Sequence, residues 1–309
     1  MSRARYPLPT DLVALVSFDG RVYPNEAKPW DRLGLDQRAR PWEEALEQWF
    51  SFATGKHTWV NVRGATIRGL ISARKRAKRS AWEVEVLIDA DEDTKVVSNL
   101  FGRMVAGVGK TGAERIFVRL DEESRLVRAA RDSGFFPYER QTLYRLAEKG
   151  PVVEPGLPLR VRTKEDLHGI YQLYNRVAPA NVRGIEGATF REWQAALESW
   201  GGRPHEFVLE EHGAIMGWLR VLSGPVARIG AMAAGASSVS EDLIRAGLSQ
   251  VNTDGPVLCL AGEHDLGLRR ALESLGFEPD GTYMMMAKRL AKVARELVPE
   301  TAGTAVPVN

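Results

Sequence analysis

The stretch Val257-Leu258-Cys259-Leu260, continued by residues 266–275, Gly276-Phe277 and Tyr283-Met284-Met285-Met286, decides the fold. Its first four residues form a short apolar run, the mark of a buried strand. Leu268, Ala271, Leu272 and Leu275 then fall at i, i+3, i+4 and i+7, one face of an amphipathic helix. Gly276 stands just past that helix, where a positive φ costs glycine least. The Tyr-Met-Met-Met run predicts a second strand. The same order occurs earlier, as Ile116-Phe117-Val118-Arg119-Leu120, a helix through Leu126 and Ala130, Gly134-Phe135, and Thr142-Leu143-Tyr144. Gly134 and Gly276 are 142 positions apart, and Pro137/Pro279, Arg128/Arg270 and Ala129/Ala271 keep that offset. A repeat this long predicts two copies of one fold.

Outward from the first copy, residues 58–62 and 67–73 read as a hairpin through Arg63-Gly64-Ala65-Thr66. Trp82, Val84, Val86 and Ile88 make a third strand, and Val97, Leu100, Phe101, Met104 and Val105 the apolar face of a helix. Trp42, Leu46, Trp49 and Phe50 sit at helical spacing, and residues 12–18 are apolar enough to pack. Gly150, Pro151, Pro155, Gly156 and Pro158 mark a boundary between two periodic regions. Beyond it the spacing predicts a strand over 159–162, a helix over 166–177, a loop over 178–187 and a helix over 190–200. A hairpin over 207–210 and 214–222 follows, then a strand over 226–233 and a helix over 240–251. Ile215-Met216-Gly217 echoes Ile67-Arg68-Gly69.

Composition bounds the function. The 309 residues suit two domains, each with its own core. Hydrophobic residues at 44% and charged residues at 27% fit a globular chain. A net charge of +2 demands neither nucleic acid nor membrane as partner. One cysteine excludes an intrachain disulfide and fits a reducing cytoplasm. No apolar run approaches spanning length, and the N-terminus lacks the apolar region of a signal peptide.

The order hairpin, strand, helix, strand, helix, Gly-Phe, strand resembles that of the GNAT superfamily of N-acetyltransferases. The resemblance runs once from about Glu43 to Leu146 and again from Leu159 to Leu290. Gly134-Phe135 and Gly276-Phe277 match the dipeptide that ends the family's last helix. It implies an α+β fold of two GNAT-like domains, with mixed central sheets flanked by helices, forming an internal pseudo-dimer. The domains would be residues 1–148 and 159–291, joined by a linker over 149–158, with a tail over 292–309. It also implies an acyl-CoA-dependent N-acetyltransferase, with acetyl-CoA as co-substrate and a small-molecule or peptide amine as acceptor.

The family seats pyrophosphate on backbone N–H groups at the start of its main helix, where glycine and the helix dipole favour an anion. In the first copy this turn reads Asp89-Ala90-Asp91-Glu92-Asp93-Thr94, four carboxylates and no glycine. Those acids would themselves occupy the positive helix end, so the first copy is expected to be degenerate and the site to lie in the second. There Gly235-Ala236-Ser237-Ser238-Val239-Ser240 is small and uncharged, preceded by Met232 and Ala233 on the strand. These eight residues are the cofactor-binding candidates, with Ser240 as plain N-cap the alternative. Backbone N–H groups over 230–233 would polarise the thioester carbonyl.

The family's leaving-group tyrosine is replaced by Ala130 and Leu272, and Tyr283 is the substitute in the second copy, Tyr138 and Tyr144 in the first. Glu263 and His264, just past the strand, are the candidate general bases; the alternative is that Glu263-His264-Asp265 caps the next helix. Residues 181–186 fall where the family binds its acceptor, or form a solvent loop.

Gly107-Val108-Gly109-Lys110-Thr111-Gly112 is not a phosphate loop, because it follows a helix and precedes a strand. The five histidines show no metal-ligand spacing, and Cys259 reads as a buried strand residue. Two other functions stay open: an inert pair of GNAT folds that binds a ligand or protein, and a Fem-like transferase using charged tRNA. For the latter, the basic run Arg74, Lys75, Arg76, Lys78 and Arg79 would meet the RNA backbone.

Overall fold

The structure is a computed structural model that describes residues 4–8, 23–35, 38–39, 55–63, 66–150, 156–235, 237–253 and 255–291. The packing read into residues 12–18, the helix around Trp42 to Phe50, half of the linker (151–155), Ala236 and the tail lie outside the described residues.

The first copy comprises β1 (Lys56–Arg63), β2 (Thr66–Lys75), β3 (Ala81–Asp89), α1 (Thr94–Gly109), β4 (Arg115–Asp121), α2 (Leu126–Asp132) and β5 (Phe136–Leu146). The second opens with β6 (Leu159–Val161), α3 (Leu167–Val177), α4 (Ala180–Glu186) and α5 (Phe190–Ala196). It then repeats the order with β7 (His205–Glu211), β8 (Ala214–Leu222), β9 (Ala227–Ala233), α6 (Ser237–Gln250), β10 (Val257–Gly262), α7 (Leu266–Ser274) and β11 (Glu278–Arg289). The repeated helix ends agree atom for atom. Phe135 N–H donates to the Ala130 carbonyl and Phe277 N–H to the Leu272 carbonyl, both at 3.0 Å. Gly134 and Gly276 adopt φ of 84° and 82°, which a side chain would strain.

The strands form one continuous mixed sheet in the order β1-β2-β3-β4-β11-β5-β10-β9-β8-β7-β6. The two copies have exchanged their last strands. β11 pairs with β4, and β5 pairs with β10. Between them β11 and β5 pair antiparallel, with Glu278 opposite Arg145 and Ala287 opposite Phe136. These two pairs interchange under the 142-residue offset, so the seam is a pseudo-twofold axis, isologous as in a symmetric dimer.

Both sheet faces are covered, which is why the central strands read as apolar runs. Ile116 and Val118 of β4 join Leu100 and Phe101 of α1 and Leu126 and Ala129 of α2. Phe117, on the opposite face, joins Ile170 and Leu173 of α3, Val182 of α4 and Trp193 of α5. Helices of the second copy thus cover strands of the first.

Three local expectations are corrected. Residues 180–186 are not a loop but α4, held from outside because Arg115 donates to the carbonyls of Ile185 (2.8 Å) and Glu186 (3.0 Å). The helix expected to reach residue 200 ends at Ala196, whose carbonyl accepts from Arg76, and the extended chain delivers the Glu198 carboxylate to Arg76 and Arg119. α6 begins at Ser237 rather than Ser240, so Ser240 is a buried helical residue and not the N-cap.

Candidate active site

β9 and β10 run parallel and pair at Ala227/Val257, Arg228/Leu258 and Ile229/Cys259, then part. Their lips, Gly230, Ala231 and Met232 on one side and Leu260 and Gly262 on the other, border a cavity of about 240 Å³. Trp30, Tyr174, Trp193, Trp200 and Trp218 form the aromatic part of its walls. Gly230 is required there by space, because a Cβ on it would lie 2.9 Å from the Trp200 ring.

β3 and β4 of the first copy make the same fork. They pair at Ala81/Arg115, Trp82/Ile116 and Glu83/Phe117 and then part. Here the chain itself fills the gap. Glu26 N–H donates to the Leu87 carbonyl and Lys28 N–H to the Arg119 carbonyl, each at 2.9 Å, and Ala27 bridges to Leu120. Buried Asn25 donates to the Glu85 carbonyl and accepts from the N–H groups of Leu87 and Ala27. The strap then crosses to the second copy, where Arg228 holds the carbonyls of Trp30, Asp31 and Leu33. It ends by placing the Trp30 ring edge-on against Trp200, 5.6 Å between centroids, in the cavity wall.

The start of α1 is closed as well. Asp93 caps it by accepting from Lys95 N–H at 2.9 Å, and Arg68 binds both Asp91 and Asp93. At the start of α6 the first turn carries no acid, and Ser237 and Ser238 are exposed. Gly235 has φ of 121° and open space where a Cβ would stand. The start of α7 adjoins it: a Cβ on Gly267 would lie 3.6 Å from Ser240 Oγ and 3.7 Å from Ser237 Oγ. Ser237, Ser238, Ser240 and Gly235 are thus gathered at one end of the second copy. Val239 packs inward against the α6–α7 core, and Met232 and Ala233 lie on β9.

His264 lines the cavity, and its Nδ1 lies 3.0 Å from Oε1 of Glu139, a carboxylate only 6% exposed on β5. Gln141 Nε2 donates to the other Glu139 oxygen at 2.6 Å, and Gln141 Oε1 accepts from Arg119. Arg119 and Arg76 converge on Glu198, which they hold down to about 2 against its burial. Burial opposes charge on His264, but the Glu139 bond and the charges of Glu139, Asp265 and Glu186 outweigh it and raise its pKa. Glu186, half-buried in the cavity wall beside Glu139, is pushed up to about 7 by desolvation and the Glu139 charge while accepting from Tyr138 at 2.8 Å. Gly262 makes room for the dyad: a Cβ there would lie 2.6 Å from Glu139 Oε1 and 2.7 Å from the imidazole.

The other predicted residues fall elsewhere. Glu263 does not line the cavity; its N–H donates to the Arg140 carbonyl, and its side chain, 58% exposed, meets the Arg140 guanidinium. Tyr283 does not line it either; it is buried beside Trp30, Leu143 and Trp200, behind the wall. Tyr144 bonds Glu273 and Arg269. Asp265 both lines the cavity and caps α7 by accepting from Leu268 N–H. Asn181, Arg183 and Ile185 belong to α4, whose Val182 and Glu186 reach the cavity. Glu139 was missed because it stands beside Arg140 and Gln141 in a strand of mixed exposure, where an acid reads as a surface residue. Among the described residues no group of three or more His, Cys, Asp or Glu is placed to hold a metal ion. No helix among them is long and apolar enough to cross a membrane.

No protein-family model and no curated protein sequence matches the chain. Solved structures do match its fold. A GCN5-related N-acetyltransferase from Sphaerobacter thermophilus superposes with a TM-score of 0.51 at 16% identity, covering 93% of this chain and 95% of that one. A protein from Pyrococcus horikoshii, described as a candidate acetyltransferase, gives 0.51 at 14% identity over 94% and 90%. The fold is that of the GNAT acetyltransferases, in an α+β chain that runs through the β–β–β–α–β–α–β order twice.

Proposed function

We propose that the chain is an acyl-CoA-dependent N-acetyltransferase whose chemistry lies in the C-terminal copy, the N-terminal copy serving as scaffold. The observation that carries this reading is the open fork of β9 and β10 with the His264–Glu139 dyad at its lip. The first copy shows what such a fork accommodates: an extended, amide-bearing chain hydrogen-bonded to both lips, here residues 25–28. A pantetheine arm is also an extended chain with two amides, so the second fork fits it. Gly235, Ser237, Ser238 and Ser240, with Ala236 between them, would hold the pyrophosphate at the start of α6. Val239 would support that turn from the core.

Acyl-CoA would supply the thioester carbonyl. Those backbone N–H groups over 230–233 that face the fork rather than β8, beyond the stretch where β9 pairs with β10, would polarise its oxygen. His264 accepts through Nε2 the proton that the amine sheds as the new N–C bond forms. Glu139 keeps Nδ1–H in place and stabilises the imidazolium. The same imidazolium returns its proton to sulfur as the C–S bond breaks, so the site ends as it began.

The test is calorimetric titration of the full chain with acetyl-CoA, joined to thiol release over a panel of amines. One acetyl-CoA per chain is expected, with His264→Gln lowering turnover by about 10²-fold or more while affinity is kept. Two sites per chain would overturn the scaffold role, and absence of binding would favour the inert pair. The tRNA reading loses ground because Arg74 binds Asp31, Glu83 and Glu85 and Arg76 is buried on Glu83 and Glu198.

A further inference from the structure

Arg220, on β8 opposite Gly230 of β9, also lines the cavity. Its guanidinium carbon lies 4.5 Å from the ring centroid of Trp200 and 4.1 Å from that of Trp218. Two indoles therefore flank the planar group and leave its N–H edge for hydrogen bonding.

Among the described residues, no hydrogen bond or ion pair reaches that edge. The contrast with its neighbours is sharp. Arg76 donates to Glu83, Glu198 and the Ala196 carbonyl, and Arg119 to Gln141, Glu198 and the Lys28 carbonyl. The charges that face Arg220 are Glu206, Glu198 and Arg162. Glu206 lies across the strands from Arg220, but its carboxylate accepts from Arg162 Nη2 and from Trp218 Nε1, each at 3.0 Å. Glu198 is held by Arg76 and Arg119. Burial pulls Arg220 down to about 10 in spite of both acids, so it is a cation at neutral pH that an added anion would stabilise. A cation whose N–H edge lacks a protein acceptor, in a cavity where the other guanidiniums are satisfied, is poised for a ligand acceptor. The planar fork matches a carboxylate with two parallel bonds.

We infer that Arg220 is the receptor for a carboxylate on the ligand that enters this cavity. Resting on the acyltransferase reading, that carboxylate belongs either to an amino-acid-like acceptor amine or to the far end of a dicarboxylic acyl chain.

The test uses the full-length protein and its tryptophan fluorescence, which Trp200 and Trp218 make sensitive to this edge. Phenylacetate and phenylacetamide are titrated as charged and neutral probes of one shape. Wild type is expected to bind phenylacetate at least tenfold more tightly. Arg220→Gln, checked for folding by its melting curve, should bring the two within twofold, and Arg220→Lys should restore part of the difference. Equal binding in wild type overturns the inference even if Arg220→Gln fails to fold, as does discrimination that survives in a folded Arg220→Gln. Two turnover comparisons separate the sources: succinyl-CoA against acetyl-CoA, and L-phenylalanine against L-phenylalaninamide with acetyl-CoA. A tenfold gain in kcat/KM for the carboxylate form, lost in Arg220→Gln, identifies the source. Turnover with no such gain in either comparison overturns the inference. Charge-selective probe binding without any turnover sustains the receptor and overturns the acyltransferase reading.

Discussion

His264 Nδ1 stands 3.0 Å from Glu139 Oε1, although one residue follows the fifth strand of the second copy and the other comes from the last strand of the first. The two side chains meet because β5 has crossed the pseudo-twofold seam to lie beside β10. At the positions related by the 142-residue offset stand Glu122 and Gly281, so the first copy has no such pair.

The pH dependence of turnover should carry the mark of this contact. A base works unprotonated, and Glu139 raises the pKa of His264, so the acid limb of the rate profile should lie above the usual imidazole value. Glu139→Gln is expected to move that limb downward and to reduce kcat by about 10²-fold. A limb that stays in place would remove His264 as the titrating base. The stability that the dyad adds is present below the unfolded imidazole pKa and is lost as pH rises through the raised folded one.

Gly262→Ala should separate the dyad without removing either member. The new Cβ would lie 2.6 Å from Glu139 Oε1 and 2.8 Å from His264 Nδ1. Overpacking of this kind costs about 1–3 kcal/mol. Turnover should fall as in Glu139→Gln; wild-type kcat in this variant would show that the contact is dispensable.

Glu186 supplies a stability test with the opposite chemistry. Burial first, and the nearby Glu139 charge next, push its carboxyl up to about 7 against Arg76. Between the ordinary carboxyl value and pH 7 the unfolded chain ionises while the folded one keeps its proton, so folded stability falls with rising pH. Glu186→Gln should therefore gain in melting temperature over wild type more at pH 8 than at pH 5. An equal difference at both values would remove Glu186 as the source.

Asn25 should prove structural. It donates one buried hydrogen bond and accepts two, one of them from Leu87 N–H on the lip of the first fork. Asn25→Ala leaves these partners unsatisfied and should cost about 2–4 kcal/mol in urea unfolding. A loss under 1 kcal/mol would mean that the strap is held by its backbone bonds and by Arg228 alone.

Glu263→Ala should be quiet. Its side chain is mostly exposed and meets Arg140 at 3.4 Å, a surface pair worth at most about 1 kcal/mol. Turnover within twofold of wild type is expected, and a large loss would return Glu263 to the mechanism.

Much of the repeat was legible in local pattern. Leu268, Ala271 and Leu272 are buried at the spacing that predicts a helix face, and Gly134 and Gly276 take the positive φ expected after a helix. The acids before α1 do cap and neutralise its start. His264 reaches the cavity, whereas its neighbour Glu263 does not, because a one-residue change of direction at a strand end is set by the Arg140 carbonyl. Glu198 and Arg220 gave no periodic signal at all. Buried charges are defined by partners distant in sequence, which no spacing within one element reveals.

Periodicity and turn chemistry are short-range, so the residues alone determined most of the repeated elements, their duplication and the acidic start of α1, but not α4 or the ends of α5 and α6. Which fork is closed and which histidine is partnered depend on long-range placement. Residues 25–28 bond to the lips of β3 and β4, and the crossing of β5 brings Glu139 to His264. Those choices were decided only when backbone donors and buried charges had to find partners across the assembled sheet.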